Sequence, residues 1–260
     1  MIDYARVEHL VRQAGQMILD ANLTAEQVHI KKQHDFVTDY DVRIQAYLVE
    51  TLSQVIPEAT FFGEEMAEDQ RACGDGFCFY IDPIDGTTNF IHAYQHSCVS
   101  LGISSEKRMI AGFVYNPYTN EMYRAIRGQG AYLNDKRLWT ENRRLEEGIS
   151  AFNMPSKPEK MDDFLDFLRR LYGKAETIRV GGSAALDLCR VASGSNVAYV
   201  QTQLQPYDYA AASVIIEEAG GVISQLDGSP VSLQEPCFVV AGAPVAYVEI
   251  RNIALEAFKS

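Results

Sequence analysis

The run Phe77-Cys78-Phe79-Tyr80-Ile81, followed by Asp82-Pro83-Ile84-Asp85-Gly86-Thr87-Thr88-Asn89, decides how this chain is read. An apolar segment of strand composition ends abruptly on two acids and a glycine. Pro, Asp and Gly are turn formers, so this could be a plain turn. Two other places set acids against apolar elements. Phe62 runs into Gly63-Glu64-Glu65, and Pro206-Tyr207-Asp208 opens the apolar helix Tyr209–Ala219. Each has an ordinary explanation alone: solvated loop charge for the glutamates, a helix N-cap for Asp208. Together, acids at the ends of buried strands and at a helix start are placed to converge on one cleft, as ligand-binding groups do in open α/β sheets.

Working outward, Val7, Leu10, Val11, Ala14, Met17, Ile18 and Ala21 form one helical stripe. A second helix carries Ile44, Leu48, Leu52, Val55 and Ile56 and stops at Pro57. Thr60–Phe62 is a short strand. Beyond the acids, Ser97–Ile103, Met109–Tyr115 and Glu121–Ile126 read as strands, with Asn116-Pro117 and the glycines at 128 and 130 as turns. This half is expected to be helices on an antiparallel sheet. From Thr177 the rhythm alternates: strand Thr177–Val180, helix Ser183–Ala192, strand Ala198–Thr202, helix Asp208–Ala219, strands Val222–Leu226 and Phe238–Ala241, then a helix from Pro244. Alternation of that kind is expected of an α/β unit. The polar stretch Thr140–Glu147 is the seam, giving halves 1–140 and 141–260 of one compact body.

With 260 residues, 47% hydrophobic and 22% charged, the chain can bury a substantial core and is not disordered. Its net charge of −12 argues against nucleic acid and anionic membrane as partners, since both require clustered Lys and Arg. No stretch approaches the ~18 apolar residues of a membrane span, and the N-terminal segment does not read as a signal peptide. Five cysteines with no CxxC pair suggest reduced thiols and a cytoplasmic setting, with Cys73 and Cys78 merely flanking a loop. His92 and His96 stand four apart without an acidic third ligand nearby, so a zinc site is not expected. Gly128-Gln129-Gly130 lies between strands and reads as a hairpin turn rather than a dinucleotide loop.

Carboxylates sharing a cleft repel one another, and some would keep their protons. Hard divalent cations resolve that conflict, because Asp, Glu and backbone carbonyl oxygens suit Mg²⁺. The metal then supplies the positive charge that this acidic protein lacks. A phosphate group suits such a site, completed by the amides of the Gly86-Thr87-Thr88 turn.

At this point the residues carry a resemblance. Asp35-x-Val37-Thr38-x-x-Asp41, Gly63-Glu64-Glu65, the Asp82–Asn89 run ending in Phe90, and Tyr207-Asp208-x-Ala210-Ala211 occur in one order. Gly181-Gly182-Ser183-Ala184-Ala185 and Glu217-Glu218-Ala219-Gly220-Gly221 extend the match. Over roughly residues 5–258, the chain resembles the inositol monophosphatase family of Mg²⁺-dependent, lithium-sensitive phosphatases. The resemblance implies a layered α-β-α-β-α sandwich, an α+β fold with an N-terminal antiparallel-sheet half and a C-terminal α/β half. It also implies two or three Mg²⁺ per subunit. Glu64, Asp82 and the Ile84 carbonyl would hold a first metal, and Asp82, Asp85 and Asp208 a second. A weaker third would involve Glu64, with Glu65 nearby. Glu64 and Thr87 would activate a water, with Asp41 polarising Thr87. Gly86 and Thr87 would hold phosphate, while Gly182, Ser183, Ala184, Gln201 and Asp208 would meet substrate.

Two departures stand out. Tyr207 replaces the family's usual tryptophan, and Gln201 aligns with a glutamate that contacts inositol hydroxyls in family members. The lysine found near the activated site is either Lys31 or Lys32, which spacing does not decide. The implied function is hydrolysis of a small polyol or sugar phosphate by metal-activated water, with inositol monophosphate first. Phosphatases acting on NADP(H), fructose-1,6-bisphosphate or 3′-phosphoadenosine compounds are rivals in the same superfamily. A regulatory protein with vestigial activity is the alternative of another class. A homodimer is the family expectation.

Overall fold

The computed structural model describes residues 2–32, 35–67, 73–155 and 158–258; the side chains of Lys32 and Asp35 fall outside the described residues. Helix α1 (Tyr4–Leu19) is followed by a hairpin of β1 (Val28–Lys32) and β2 (Asp35–Thr38), then by helix α2 (Asp39–Leu52). Strands β3 (Thr60–Gly63), β4 (Cys78–Asp85), β5 (Cys98–Ser105), β6 (Arg108–Asn116), β7 (Glu121–Ile126), β8 (Gly130–Leu133) and β9 (Lys136–Arg137) form one sheet in sequence order. Its neighbours are antiparallel except β3 and β4, which run parallel. The expectation of a purely antiparallel sheet is corrected at that one pair.

The second sheet has the order β11-β10-β12-β14-β13. It comprises β10 (Ile149–Phe152), β11 (Thr177–Arg179), β12 (Asn196–Leu204), β13 (Val222–Ser224) and β14 (Cys237–Gly242). β10 is parallel to both neighbours, whereas β12, β14 and β13 pair antiparallel. The remaining helices are a short α3 (Thr87–Ile91), α4 (Met161–Leu171), α5 (Ala184–Ala192), α6 (Pro206–Glu218) and α7 (Pro244–Ala257). β10 and α4 lie where the sequence reading assigns no element, as does the β1–β2 hairpin.

Five layers result. Side chains of successive strand residues point to opposite faces. Phe79 and Ile81 therefore pack under α1 and α2 with Val7, Val11, Ile44 and Leu48, while Tyr80 faces the opposite way. On that inner face α5 and α6 fill the space between the two sheets, meeting Tyr199, Val239 and Ala241. The far face of the second sheet is covered by Phe164 and Phe167 of α4 and Ile250 and Ala254 of α7. The centre is tight because α6 presents Ala210-Ala211-Ala212 to glycines. A Cβ at Gly112 would stand 2.2 Å from the Ala211 carbonyl oxygen.

The thiol reading needs one correction. Cys73 and Cys78 are joined as a disulfide, their Cα atoms 5.5 Å apart because the loop returns to the start of β4. Cys98, Cys189 and Cys237 are free and buried. Gly128-Gln129-Gly130 forms the β7–β8 turn, with Gln129 N donating to Ile126 O at 2.9 Å. Among the described residues no helix is long and apolar enough to cross a membrane.

Candidate active site

β4 carries its acids to the sheet end through a local irregularity. Pro83 has no N–H to give the ladder, and the register with β5 shifts between Asp82 and Asp85. Asp82 Oδ1 accepts from Ile84 N at 3.1 Å within that irregularity. Gly86 follows with φ 90°, a left-handed conformation that favours glycine. A Cβ there would also stand 3.0 Å from the Gly182 carbonyl. The turn thus passes close to the loop before α5, and Asn89 ties the two together by donating to Gly181 O at 3.0 Å and His96 O at 2.7 Å.

Asp85 ends at the start of α5. Ala184 N and Ala185 N donate to it at 3.2 and 2.8 Å, and Ser183 Oγ donates to its Oδ2. Unpaired amides and the helix dipole favour a carboxylate there. Ser183 and the Ala184 amide are therefore directed at Asp85, while Gly182 N donates to Asn153 Oδ1 at 3.0 Å.

α2 delivers Asp41 in the third position of a capping box. Thr38 N and Thr38 Oγ1 donate to Asp41 Oδ2 at 2.7 and 2.6 Å, occupying one carboxylate oxygen. The other, Oδ1, lies 3.2 Å from Thr87 Oγ1, which is also 3.1 Å from the Ile84 carbonyl oxygen. Asp208 plays the same part in α6, accepting from Gln205 N at 2.7 Å with Pro206 in the first turn. Tyr207 is buried, its ring 6.3 Å from that of Phe62, so the aromatic keeps a packing role.

The glutamates meet the β1 strand. Lys31 Nζ is 3.2 Å from Glu64 Oε1 and 2.5 Å from Glu65 Oε1, while the Lys32 side chain lies outside the described residues. Glu65 N donates to Gln45 Oε1 at 2.8 Å. Gln45 was not among the residues singled out from sequence; its signal is a buried amide beside Ile44 in the α2 stripe. Asn153 and Tyr199 were also missed, and nothing in their local sequence marks them. His92 is exposed at the end of α3, and His96 is held mostly neutral, lowered to about 4 by burial and by Arg190.

Electrostatically the cleft is crowded with acid. Burial raises the Asp41 carboxyl to about 6 despite the Thr38 hydrogen bonds. Burial, aided by Glu65 and Asp41 and opposed by Lys31, raises Glu64 to about 7. Asp82 is pushed up by burial and then by Glu64, Asp85 and Asp208; Asp85 is pushed up by burial, with Ser183 and the α5 amides opposing. As they stand, no three His, Cys, Asp or Glu side chains among the described residues are arranged to hold an ion. The donor chemistry nonetheless fits a hard divalent cation: carboxylate and carbonyl oxygens that repel each other and are costly to ionise unaided. Asp85 and Asp208 open onto a cavity of about 380 Å³ whose other walls include Gly182, Ala184, Asn153 and Gln201.

The chain is similar to known proteins over nearly its whole length. The family model described as "Inositol monophosphatase family" matches residues 3–256. A Neisseria meningitidis protein named putative Nus factor SuhB is 34% identical over 247 residues, 94% of each chain. Bacillus subtilis inositol-1-monophosphatase is 32% identical over 251 residues, 96% of this chain and 95% of the relative. The crystallised Thermotoga maritima IMPase superposes with a TM-score of 0.88 at 26% identity, covering 98% of both chains. The match over nearly the whole chain, in sequence and in the layered α+β sandwich, places this protein in the inositol monophosphatase family.

Proposed function

We propose that the protein is a Mg²⁺-dependent phosphomonoesterase acting on a small polyol or sugar phosphate, with inositol monophosphate first among them. The observation that carries this reading is the mutual charge repulsion of Asp82 with Glu64, Asp85 and Asp208, contributed by separate parts of the chain. Glu64, Asp82, the Ile84 carbonyl, Asp85 and Asp208 would hold the cations, with Glu65 beside them. Divalent cations bound there would lower the pKa of a water and offset the ester's charge. Thr87 would accept a hydrogen bond from the attacking water. Its own proton goes to Asp41 or to the Ile84 carbonyl, so its lone pairs face the cleft. Glu64 would orient and activate that water together with Thr87. The Gly86 and Thr87 amides hold the phosphate. Residues 141–260 contribute Asp208 and the walls that meet the alcohol. A homodimer inhibited uncompetitively by Li⁺ at about millimolar or higher concentration belongs to the same reading.

Phosphate release with Mg²⁺ over inositol, sugar and nucleotide monophosphates tests it. Asp82→Asn should abolish turnover, and Mg²⁺ should raise the melting temperature of the wild type but not of the variant. Near-wild-type turnover by Asp82→Asn would sink the two-metal assignment. The name of the Neisseria relative favours a second reading, as a Nus factor. An inactive Asp82→Asn chain that still replaces the wild type in cells lacking the gene would support that reading. Failure to do so would support the enzyme.

A further inference from the structure

Gln201 on β12 faces the cavity into which Asp85 and Asp208 open. Which end of its amide meets a ligand is decided by three neighbours. Gly182 N is a backbone donor and bonds Asn153 Oδ1 at 3.0 Å. A backbone N–H can only donate, so the oxygen end of Asn153 is committed to it. The Asn153 Nδ2 end then points to β12, donating to Tyr199 Oη at 3.1 Å and to Gln201 Oε1 at 3.2 Å. Tyr199 Oη, accepting from Asn153, donates its own proton to Gln201 Oε1. Burial keeps the Tyr199 phenol protonated, so that donor is permanent. Both lone pairs of the Gln201 carbonyl are therefore taken. Its Nε2 amino group makes no hydrogen bond among the described residues and is the end left to the cavity.

We infer that Asn153 and Tyr199 are positioning residues that hold Gln201 with its N–H donors outward, so that among small polyol and sugar phosphates this subsite favours those whose alcohol also carries a carboxylate or carbonyl oxygen, the stronger acceptors. The inference rests on reading the cleft as a phosphomonoesterase site. A carboxylate at position 201 would accept from substrate hydroxyls; the tethered glutamine donates to substrate oxygens. The order in which the polarity is set runs from the Gly182 backbone outward, so it does not depend on the ligand. The apolar cavity walls formed by Met154, Val180 and Leu204 offer no competing donor side chain.

Two esters that differ at one carbon test the subsite: glycerol 2-phosphate, with a CH₂OH group, and glycerate 2-phosphate, with a carboxylate in its place. The ratio of kcat/KM for the glycerate ester over the glycerol ester is measured in each protein with Mg²⁺. Gln201→Glu should lower the ratio about tenfold or more, and Gln201→Met should lower it without reversing it. Asn153→Ala removes the donor fixed by Gly182 and lets the amide turn, so the ratio should move several-fold towards one, through KM rather than kcat. Tyr199→Phe frees one carbonyl lone pair while Asn153 holds the other, so the ratio should move in the same direction by less, again through KM. An unchanged ratio in Gln201→Glu overturns the inference, as does a Tyr199→Phe effect confined to kcat. If neither ester nor inositol monophosphate is turned over, the proposed function fails. The calorimetric Kd values of the same two esters then decide the polarity of the subsite on their own, with the same shift expected.

Discussion

Ser183 Oγ donates to Asp85 Oδ2 across 98 residues of chain, and this bond joins the end of β4 to the start of α5. Asp85 is buried, and α5 supplies the donors that make its charge tolerable there. A hydrogen bond to a charged group contributes about 1.5–3 kcal/mol. Ser183→Ala should lower stability to urea by about 2 kcal/mol and raise the Mg²⁺ concentration needed for half-maximal activity. Unaltered urea and Mg²⁺ midpoints would show that the α5 amides hold Asp85 unaided.

Thr87 is placed by two acceptors, Asp41 and the Ile84 carbonyl, that compete for its single proton. Thr87→Val keeps the shape and removes the hydroxyl. Its kcat should fall about 10²-fold or more, the usual scale for a proton-handling group, with KM little changed. Thr87→Ser should retain most of the activity. Equal losses in the two variants would mean that packing, not the hydroxyl, matters at this position.

Gly112 marks where α6 lies against the central sheet. The added methyl of Gly112→Ala would fall 2.2 Å from the Ala211 carbonyl oxygen, which is backbone and cannot swing aside. Overpacking of this kind costs about 1–3 kcal/mol. A lower melting temperature is expected, and calorimetry that finds the variant as stable as the wild type would place α6 farther from β6.

Asp187 is a buried carboxyl in α5, with Arg190 Nη1 3.7 Å and His96 Nε2 4.0 Å from its Oδ1. Burial raises it to about 7, Arg190 opposing and Asp85 adding to the rise. The unfolded chain releases this proton near pH ~4 and the folded chain near 7, so between them the folded state binds more protons. Stability therefore falls as pH rises through that window, with a full penalty on the order of 4 kcal/mol above it. Asp187→Asn removes the ionisation. Its melting temperature should exceed the wild type's by several degrees at about pH 8 and by much less at about pH 4.5. A pH-independent difference would show that Asp187 stays ionised in the fold.

Much of the site was legible before any coordinates. Glu64, Asp82, Asp85 and Asp208 announce themselves because ionisable groups are abrupt next to apolar strands and an apolar helix start. Asp41 enters the sequence reading only through the family resemblance, and its part in capping α2 with Thr38 comes from the structure. The alternation from Thr177 onward is also local, and the elements fall within a few residues of their expected bounds. The β1–β2 hairpin and β10 were not legible, because their pairing partners define them more than their own composition does.

Partners that depend on long-range approach had no local trace. Lys31 reaches Glu64 and Glu65 only because the hairpin folds over the end of β3. The orientation of Gln201 depends on Gly182, Asn153 and Tyr199, three residues on three elements brought within hydrogen-bond distance by the second sheet and the loop before α5. The sequence by itself determined most of the helices and strands and the acids Glu64, Asp82, Asp85 and Asp208 at their ends, because helix and strand periodicity and helix capping act over a few residues. Which oxygen or nitrogen of each side chain remains free for a ligand was decided by the tertiary structure alone, because a hydrogen bond forms or fails over a few tenths of an ångström and that distance exists only once the layers have packed.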